Sequence, residues 1–365
     1  MVAVHQLIAG AGVGDAITNY SFEIQSIFQD MNINSLIFAP YQHTAAEYRN
    51  NGKIKDQNGL EAVINSQDIL MYHYSIGADS TDIFTKLKCK KMLCYHNITP
   101  TQYFQNLSKK QSEALKQGRL RLKELTTEVS VATAVSLYNK IELDELGFKD
   151  TRTIPLIFPT DYLKKKPNSS LINKYCDGNL NILFVGRGVP NKRFEDLIKT
   201  FAFLNKTLNS HSRLFLVGSF TGNEKYYTYL KSLIFDLNLT SSVIFSGHVS
   251  LEDLLGYYAL SDMFLCLSEH EGVGLPLIES MHFQIPVLAL NKAAIAETLG
   301  GAGILLEEMD HKKVAELINM LWNDKNLMKE LITIQNKRIE YYNVKSLQQK
   351  ITDILLNYFE FVFDK

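Results

Sequence analysis

Short, unbroken apolar runs recur along this chain, each followed by a loop and then by a segment of helical periodicity. Few folds accommodate that pattern. In the C-terminal half the runs are Leu180–Val185, Leu214–Val217, Val243–Phe245, Met263–Leu267 and Pro286–Leu290. After the first of them, Phe194, Leu197, Ile198, Phe201 and Leu204 are spaced to form one apolar stripe on a helix. Glu195 and Asp196 stand in its first turn, where carboxylates favour a helix N-terminus. Continuous apolar strands alternating with helices predict a parallel sheet covered on both faces.

The N-terminal half repeats the plan less cleanly. Strands are predicted at Val2–Ala9, Ser35–Ala39, Ile69–His73, Met92–His96 and Val129–Ala132. Helices are predicted near Ala16–Gln29, Ser80–Lys88, Gln102–Thr126 and Ser136–Glu145. A chain of 365 residues, 46% hydrophobic, has room for two cores of ordinary size. The pattern breaks at Phe158–Pro167, where two prolines and the Lys164–Lys166 run fall together. The expected organisation is α/β: a Rossmann-like doubly wound domain over 1–160 and a second over 161–345. An amphipathic helix, about 346–365, is expected to pack back on the first.

The charge balance of 38 basic and 39 acidic residues implies no nucleic-acid partner. The basic residues are uneven, with ten Lys or Arg and one acid between Lys86 and Lys123. On the predicted helix over 106–126 they suit either solvent or an anionic lipid surface. Cys89, Cys94, Cys176 and Cys266 form no metal-site spacing and fit a reducing, cytoplasmic compartment. The sequence shows neither a signal peptide nor an apolar run of the roughly 18 residues a membrane helix needs.

Open parallel sheets bind ligands beyond the carboxyl ends of their strands. The segment after Met263–Leu267 reads Ser268-Glu-His-Glu-Gly-Val-Gly-Leu-Pro-Leu-Ile-Glu-Ser280. Gly272 and Gly274 allow close backbone approach, and Pro276 suits a first helical turn. The amides of such a helix start form an anion site. A second segment, Ile182-Leu-Phe-Val-Gly-Arg-Gly-Val-Pro-Asn-Lys-Arg193, brings Gly186, Arg187 and Lys192 to the same sheet edge. Fixed Arg and Lys charges stabilise a diphosphate as it leaves.

Glu271 and Glu279, with seven residues between them, resemble the E-x7-E signature of the retaining glycosyltransferases of family four. The surrounding EGVGLPLIES is similar to that family's EGFGLPxLEA, with Val273 where Phe is common. The resemblance implies that Glu271 contacts the donor sugar and Glu279 the nucleotide ribose, with Leu275 among the backbone positions at the nucleotide. Ile182–Arg193 resembles the family's FVGRxxxxKG, which places Arg187 and Lys192 on the diphosphate and leaves Arg193 where Gly is common. Gly247-His-Val-Ser-Leu-Glu-Asp253 resembles the turn that meets the nucleobase, so His248 and Val249 are candidates there, although Ser250 and Asp253 equally suit a helix cap.

In the N-terminal half, Gly10-Ala-Gly-Val-Gly-Asp15 is no dinucleotide fingerprint, because Asp15 stands where a third Gly would be needed. Gly14-Asp-Ala-Ile-Thr-Asn19 resembles the GDAIxN loop of one bacterial branch, which implies that Gly14 and Asp15 lie near the donor phosphates. Tyr95-His-Asn-Ile-Thr-Pro100 resembles that branch's segment beside the donor sugar and implies a catalytic role for His96; His73 is a candidate on the acceptor side.

The resemblance implies a GT-B architecture, two such domains facing across a deep cleft. The implied reaction is retaining hexosyl transfer from a nucleotide diphosphate-sugar to a saccharide or lipid-linked saccharide acceptor, as in polysaccharide biosynthesis. UDP-glucose or a similar UDP-hexose leads as donor, and GDP-mannose is the alternative. The sequence contains no D-x-D pair, so no metal or other cofactor is expected. The rivals are a nucleotide-sugar epimerase or phosphorylase, and a non-catalytic nucleotide-sugar-binding subunit of a glycan assembly complex.

Overall fold

The first strand, Val4–Ile8 (β1), is buried at all five positions, including the polar His5 and Gln6. A strand covered on both faces belongs inside a parallel sheet, and β1 lies in the middle of one. A computed structural model describes residues 2–76, 79–105, 107–156, 158 and 165–359. In chain order the next strands are β2 (Ile37–Ala39), β3 (Ile54–Asp56), β4 (Ile69–Tyr74), β5 (Lys90–Tyr95), β6 (Val131–Ala134) and β7 (Thr151–Thr153). They form one seven-stranded sheet ordered β3-β2-β1-β4-β5-β6-β7, parallel throughout.

The second sheet has six parallel strands. These are β8 (Leu180–Val185), β9 (Ser212–Val217), β10 (Val243–Gly247), β11 (Met263–Cys266), β12 (Val287–Leu290) and β13 (Ile304–Leu306). Their order is β10-β9-β8-β11-β12-β13. The α/β reading of the sequence therefore holds: two parallel sheets with flanking helices.

The chain divides into two compact units, Met1–Pro159 with Tyr342–Lys365, and Thr160–Tyr341. The C-terminal helix, Val344–Phe359, belongs to the first. Its buried residues Leu347, Ile351, Ile354, Leu355 and Phe359 make one stripe. Lys90 Nζ donates to the Phe359 carbonyl at 3.0 Å, and the Arg152 guanidinium lies over the Tyr358 ring.

Several sequence readings shift in detail. The predicted helix Gln102–Thr126 resolves into a short turn at Thr101–Tyr103 and a helix over Lys109–Glu124. Ser108 sets that start by accepting from the Gln111 amide. The short strands β3, β7 and β13 escape the sequence because three residues carry little periodicity. Of the helix expected over about 346–365, residues 360–365 lie outside the described residues, as do 159–164 of the interdomain stretch.

In each sheet the connection direction reverses between two central neighbours, β1 and β4 in the first and β8 and β11 in the second. The carboxyl ends of such strands diverge and leave a crevice, the general ligand position of open α/β sheets.

Candidate functional site

In the second unit the loops after β8 and β11 meet at that crevice. Gly186 continues β8 for one more hydrogen bond, its amide donating to Val217 O at 2.9 Å. The neighbouring backbone is close: a Cβ on Gly218 (φ +145°) would stand 1.9 Å from the Gly186 carbonyl oxygen. This contact requires glycine at 218. The chain then turns through Pro190–Lys192 and enters the helix Phe194–Phe203. Lys192 thus sits on the turn just before this helix.

Arg193, where the resembling family commonly has Gly, adopts the left-handed conformation that favours glycine (φ +53°, ψ +47°). Its guanidinium is held by Asp196 at 2.7 Å, with Glu195 at 3.5 Å and Glu269 at 3.7 Å.

Asn191 fastens the two loops together. Its side chain donates to the His270 carbonyl at 3.1 Å, and its own carbonyl accepts from the Glu269 amide at 2.9 Å. Next to it, Lys192 Nζ lies 2.5 Å from Glu271 Oε2, with both side chains mostly buried. The structure therefore joins the leading residues of the two sequence motifs in one ion pair. Arg187 is exposed and makes no ion pair among the described residues. The β11 loop ends at Gly274, left-handed at φ +83°, which opens the helix Leu275–His282 with Pro276 in the first turn. Val273 is fixed by its carbonyl, which accepts from the Thr298 hydroxyl at 2.6 Å, and the Glu271 carbonyl accepts from Ala294 at 3.3 Å. Gly272 lies in the same loop. Glu279 is buried inside this helix and accepts a hydrogen bond from the Tyr258 hydroxyl.

His248 is exposed and Val249 half-buried on the loop after β10. The following Ser250 accepts from Asp253 N at 3.1 Å and caps the helix Leu251–Leu260. The Gly247 carbonyl accepts from the Gly218 amide at 2.9 Å, linking this loop to the one after β9.

The first unit carries a second constellation. His73, on β4, and His96, just past β5, meet with Nδ1 of the first 2.9 Å from Nε2 of the second. Their rings are 5.2 Å apart and stacked. His73 Nε2 lies 2.9 Å from Gln6 Oε1. Tyr20, from the helix Ala16–Asp30, sets its ring edge-on to both imidazoles. Its hydroxyl is buried and has no hydrogen-bond partner among the described residues. Burial lowers the His73 pKa to about 3. Burial, with His73 adding to it, holds His96 well below the ordinary imidazole value. Both rings are therefore neutral at physiological pH.

Among the described residues, His73, Cys94 and His96 come together as a metal site would require, with ligand atoms within 4.8 Å of one another. Their present chemistry opposes that use. The two facing nitrogens already share a hydrogen bond, and burial pushes the Cys94 thiol up to about 12.

Gly14 (φ +75°) and Asp15 are exposed on the loop after β1. The Asp15 carboxylate accepts from Thr18 N at 2.9 Å and from the Thr18 hydroxyl at 2.8 Å, and so caps the helix that follows. Of the basic helix, Lys109, Lys110, Lys116 and Lys123 are exposed. Arg119 is engaged within the fold, pairing with Glu142 at 2.9 Å and donating to the Ile98 carbonyl at 2.6 Å, and Arg121 pairs with Asp82 at 2.7 Å. No helix among the described residues is long and apolar enough to cross a membrane.

Sequence reasoning passed over Gln6, Tyr20, Asn191 and Tyr258. Only Gln6 left a clear signal, as an amide in the middle of an otherwise buried strand, where polar groups need partners.

Over 205 residues the chain is 30% identical to the capsular polysaccharide biosynthesis glycosyltransferase CapM of Staphylococcus aureus, covering 55% of this chain and 51% of that protein. It is 27% identical over 176 residues to the O-antigen chain mannosyltransferase B of Escherichia coli, covering 47% and 45%. The chain thus spans about half the length of these curated relatives. Among solved structures, the Anabaena protein HepE in complex with UDP and glucose superposes with a TM-score of 0.77 at 16% identity, over 97% of this chain and 99% of that one. This chain has the GT-B fold, and its residues 172–338, which carry the Lys192–Glu271 pair, match the family described as glycosyl transferases group 1.

Proposed function

We propose that this protein transfers a hexosyl group, with retention at the anomeric carbon, from a nucleotide diphosphate-sugar to a saccharide or lipid-linked saccharide. The observation that carries the reading is the Lys192–Glu271 pair at the β8/β11 crevice, within the stretch that matches the group 1 glycosyltransferases. Lys192 and Arg187 neutralise the diphosphate as it leaves, without a metal ion. Glu271 turns from Lys192 to the sugar hydroxyls, Glu279 holds the ribose, and His96 accepts a hydroxyl of the donor sugar. The bond from the anomeric carbon to phosphate oxygen breaks, and a bond to the acceptor oxygen forms on the same face. The acceptor's proton passes to the departing phosphate.

UDP-glucose or a similar UDP-hexose is the leading donor, supported by the fold shared with HepE, a UDP and glucose complex. GDP-mannose is the second reading, favoured by the similarity to an O-antigen mannosyltransferase. The similarity to CapM supports a place in polysaccharide biosynthesis. Work at the inner membrane face, through the exposed lysines of the basic helix, belongs to the same proposal.

Slow hydrolysis tests the reaction without knowledge of the acceptor. UDP-glucose and GDP-mannose are incubated with the protein, with water as acceptor, and proton NMR reads the first anomer released. The α-anomer first, in the presence of EDTA and lost in Glu271→Ala, is expected. The β-anomer first contradicts retention. No release from either donor favours the binding-subunit reading.

A further inference from the structure

Gln6 is fully buried on β1, and its amide has one sensible orientation. Its Nε2 donates to the Ser21 carbonyl at 3.0 Å. Turning the amide over would set two oxygens against each other, because a carbonyl only accepts. Oε1 is therefore the atom that faces His73 Nε2 at 2.9 Å, and His73 Nε2 carries the proton. A neutral imidazole has a single N–H. His73 Nδ1 is thus a bare acceptor, and His96 Nε2, 2.9 Å away, donates to it. The one proton of a neutral His96 is then spent, and its Nδ1 keeps a lone pair. All three donations run the same way, from the loop after β5 through β4 and β1 to the Ser21 carbonyl on the helix Ala16–Asp30.

We infer that Gln6 and His73 are positioning residues that hold His96 in its Nε2–H tautomer, so that His96 Nδ1 is presented as an acceptor to a hydroxyl of the bound sugar. Tyr20 supports the arrangement by standing edge-on to both rings, at 6.0 and 5.4 Å, which restrains their rotation. The depressed pKa values of both rings act in the same sense, since protonation of His73 would make its Nδ1 a donor and protonation of His96 would take up the Nδ1 lone pair. The tautomer stands on the hydrogen-bond geometry together with the neutrality that burial imposes on both rings. That a sugar hydroxyl meets Nδ1 rests on the proposed function.

The test labels the nine histidines with nitrogen-15 and reads each ring by two-bond proton–nitrogen correlation. His73→Asn and His96→Asn assign the two signals. In the unaltered protein His96 should show a protonated Nε2 and a bare Nδ1; a protonated Nδ1 overturns the inference. Gln6→Met removes the acceptor at the end of the chain, and His96 should become a mixture of tautomers. Gln6→Glu places a carboxylate there and favours a charged His73, whose Nδ1–H would turn the His96 ring to its Nδ1–H form. An unchanged His96 in both variants overturns the positioning role.

Transfer or hydrolysis in Gln6→Met should fall about tenfold, the worth of one neutral hydrogen bond, while melting shifts with UDP persist. Full turnover with an altered tautomer overturns the use of Nδ1. Failure to bind any nucleotide sugar overturns the proposed function instead and leaves the tautomer decided by the spectra.

Discussion

Replacing Lys192 by Met tests whether the two loops of the second unit are joined as the structure indicates. The ammonium is 2.5 Å from Glu271, and the two side chains are 17% and 11% exposed. Removing one partner of a largely buried pair strands the other charge, which costs about 3–5 kcal/mol. Residual exposure places the expected loss at the lower end, about 3 kcal/mol. In a unit the size of Thr160–Tyr341 that corresponds to a melting point lower by roughly 6–12 °C. Adding Glu271→Gln to Lys192→Met removes the stranded charge and should restore at least half of the loss. The assay is a double-mutant cycle of calorimetric melting curves. The same set, read by UDP affinity, gives a second expectation. Glu271→Gln alone frees Lys192 for phosphate, so UDP should bind as well or up to about tenfold tighter, a difference of about 1.4 kcal/mol, while turnover collapses. A Lys192→Met protein with an unchanged melting point, or a double variant as unstable as the sum of the singles, would refute the reasoning.

Two further perturbations follow from the geometry. Gly218→Ala places a methyl 1.9 Å from the Gly186 carbonyl at φ +145°; it should cost about 3 kcal/mol and weaken nucleotide-induced stabilisation, read in denaturant titrations with and without UDP. Below pH 6.5 the unfolded chain takes up a proton at His73 that the folded chain refuses until about pH 3, so stability is full above 6.5 and falls as pH falls. The loss from His73 reaches about 2.7 kcal/mol by pH 4.5, and His73→Gln should flatten the slope of stability against pH; an unchanged slope would contradict it.

The second unit was more legible than the rest because its strands are unbroken apolar runs and its loops carry contiguous motifs. Leu180–Val185 is found within a residue, and Gly186, Arg187 and Lys192 follow in register. What the sequence could not supply is pairing across loops. Glu271 and Lys192 are 79 positions apart, and nothing local says that they touch. The same holds for Glu279 with Tyr258, and for the Gln6–His73–His96 series, whose members come from three neighbouring strands, β1, β4 and β5 with the residue after it, set side by side by the sheet order. Asp15 shows the converse. Its motif position suggested ligand contact, while its carboxylate caps a helix, a role its place before Ala16 equally permits. Arg193, where the motif commonly has Gly, takes the left-handed conformation that favours glycine and carries ion pairs to Asp196 and Glu195, which its place in the motif does not foretell.

The central claim is a nucleotide-sugar site built around Lys192 and Glu271 that works without a metal ion. The measurement that tests it most directly is the melting temperature against UDP, GDP, ADP and their sugars, with EDTA present. A ligand that binds only the folded chain at a hundred times its Kd adds about 2.7 kcal/mol. The account predicts a clear rise with UDP and a UDP-hexose, or with the GDP pair, undiminished by EDTA and reduced in Lys192→Met. A flat response to every nucleotide, or a rise that EDTA abolishes, would contradict it.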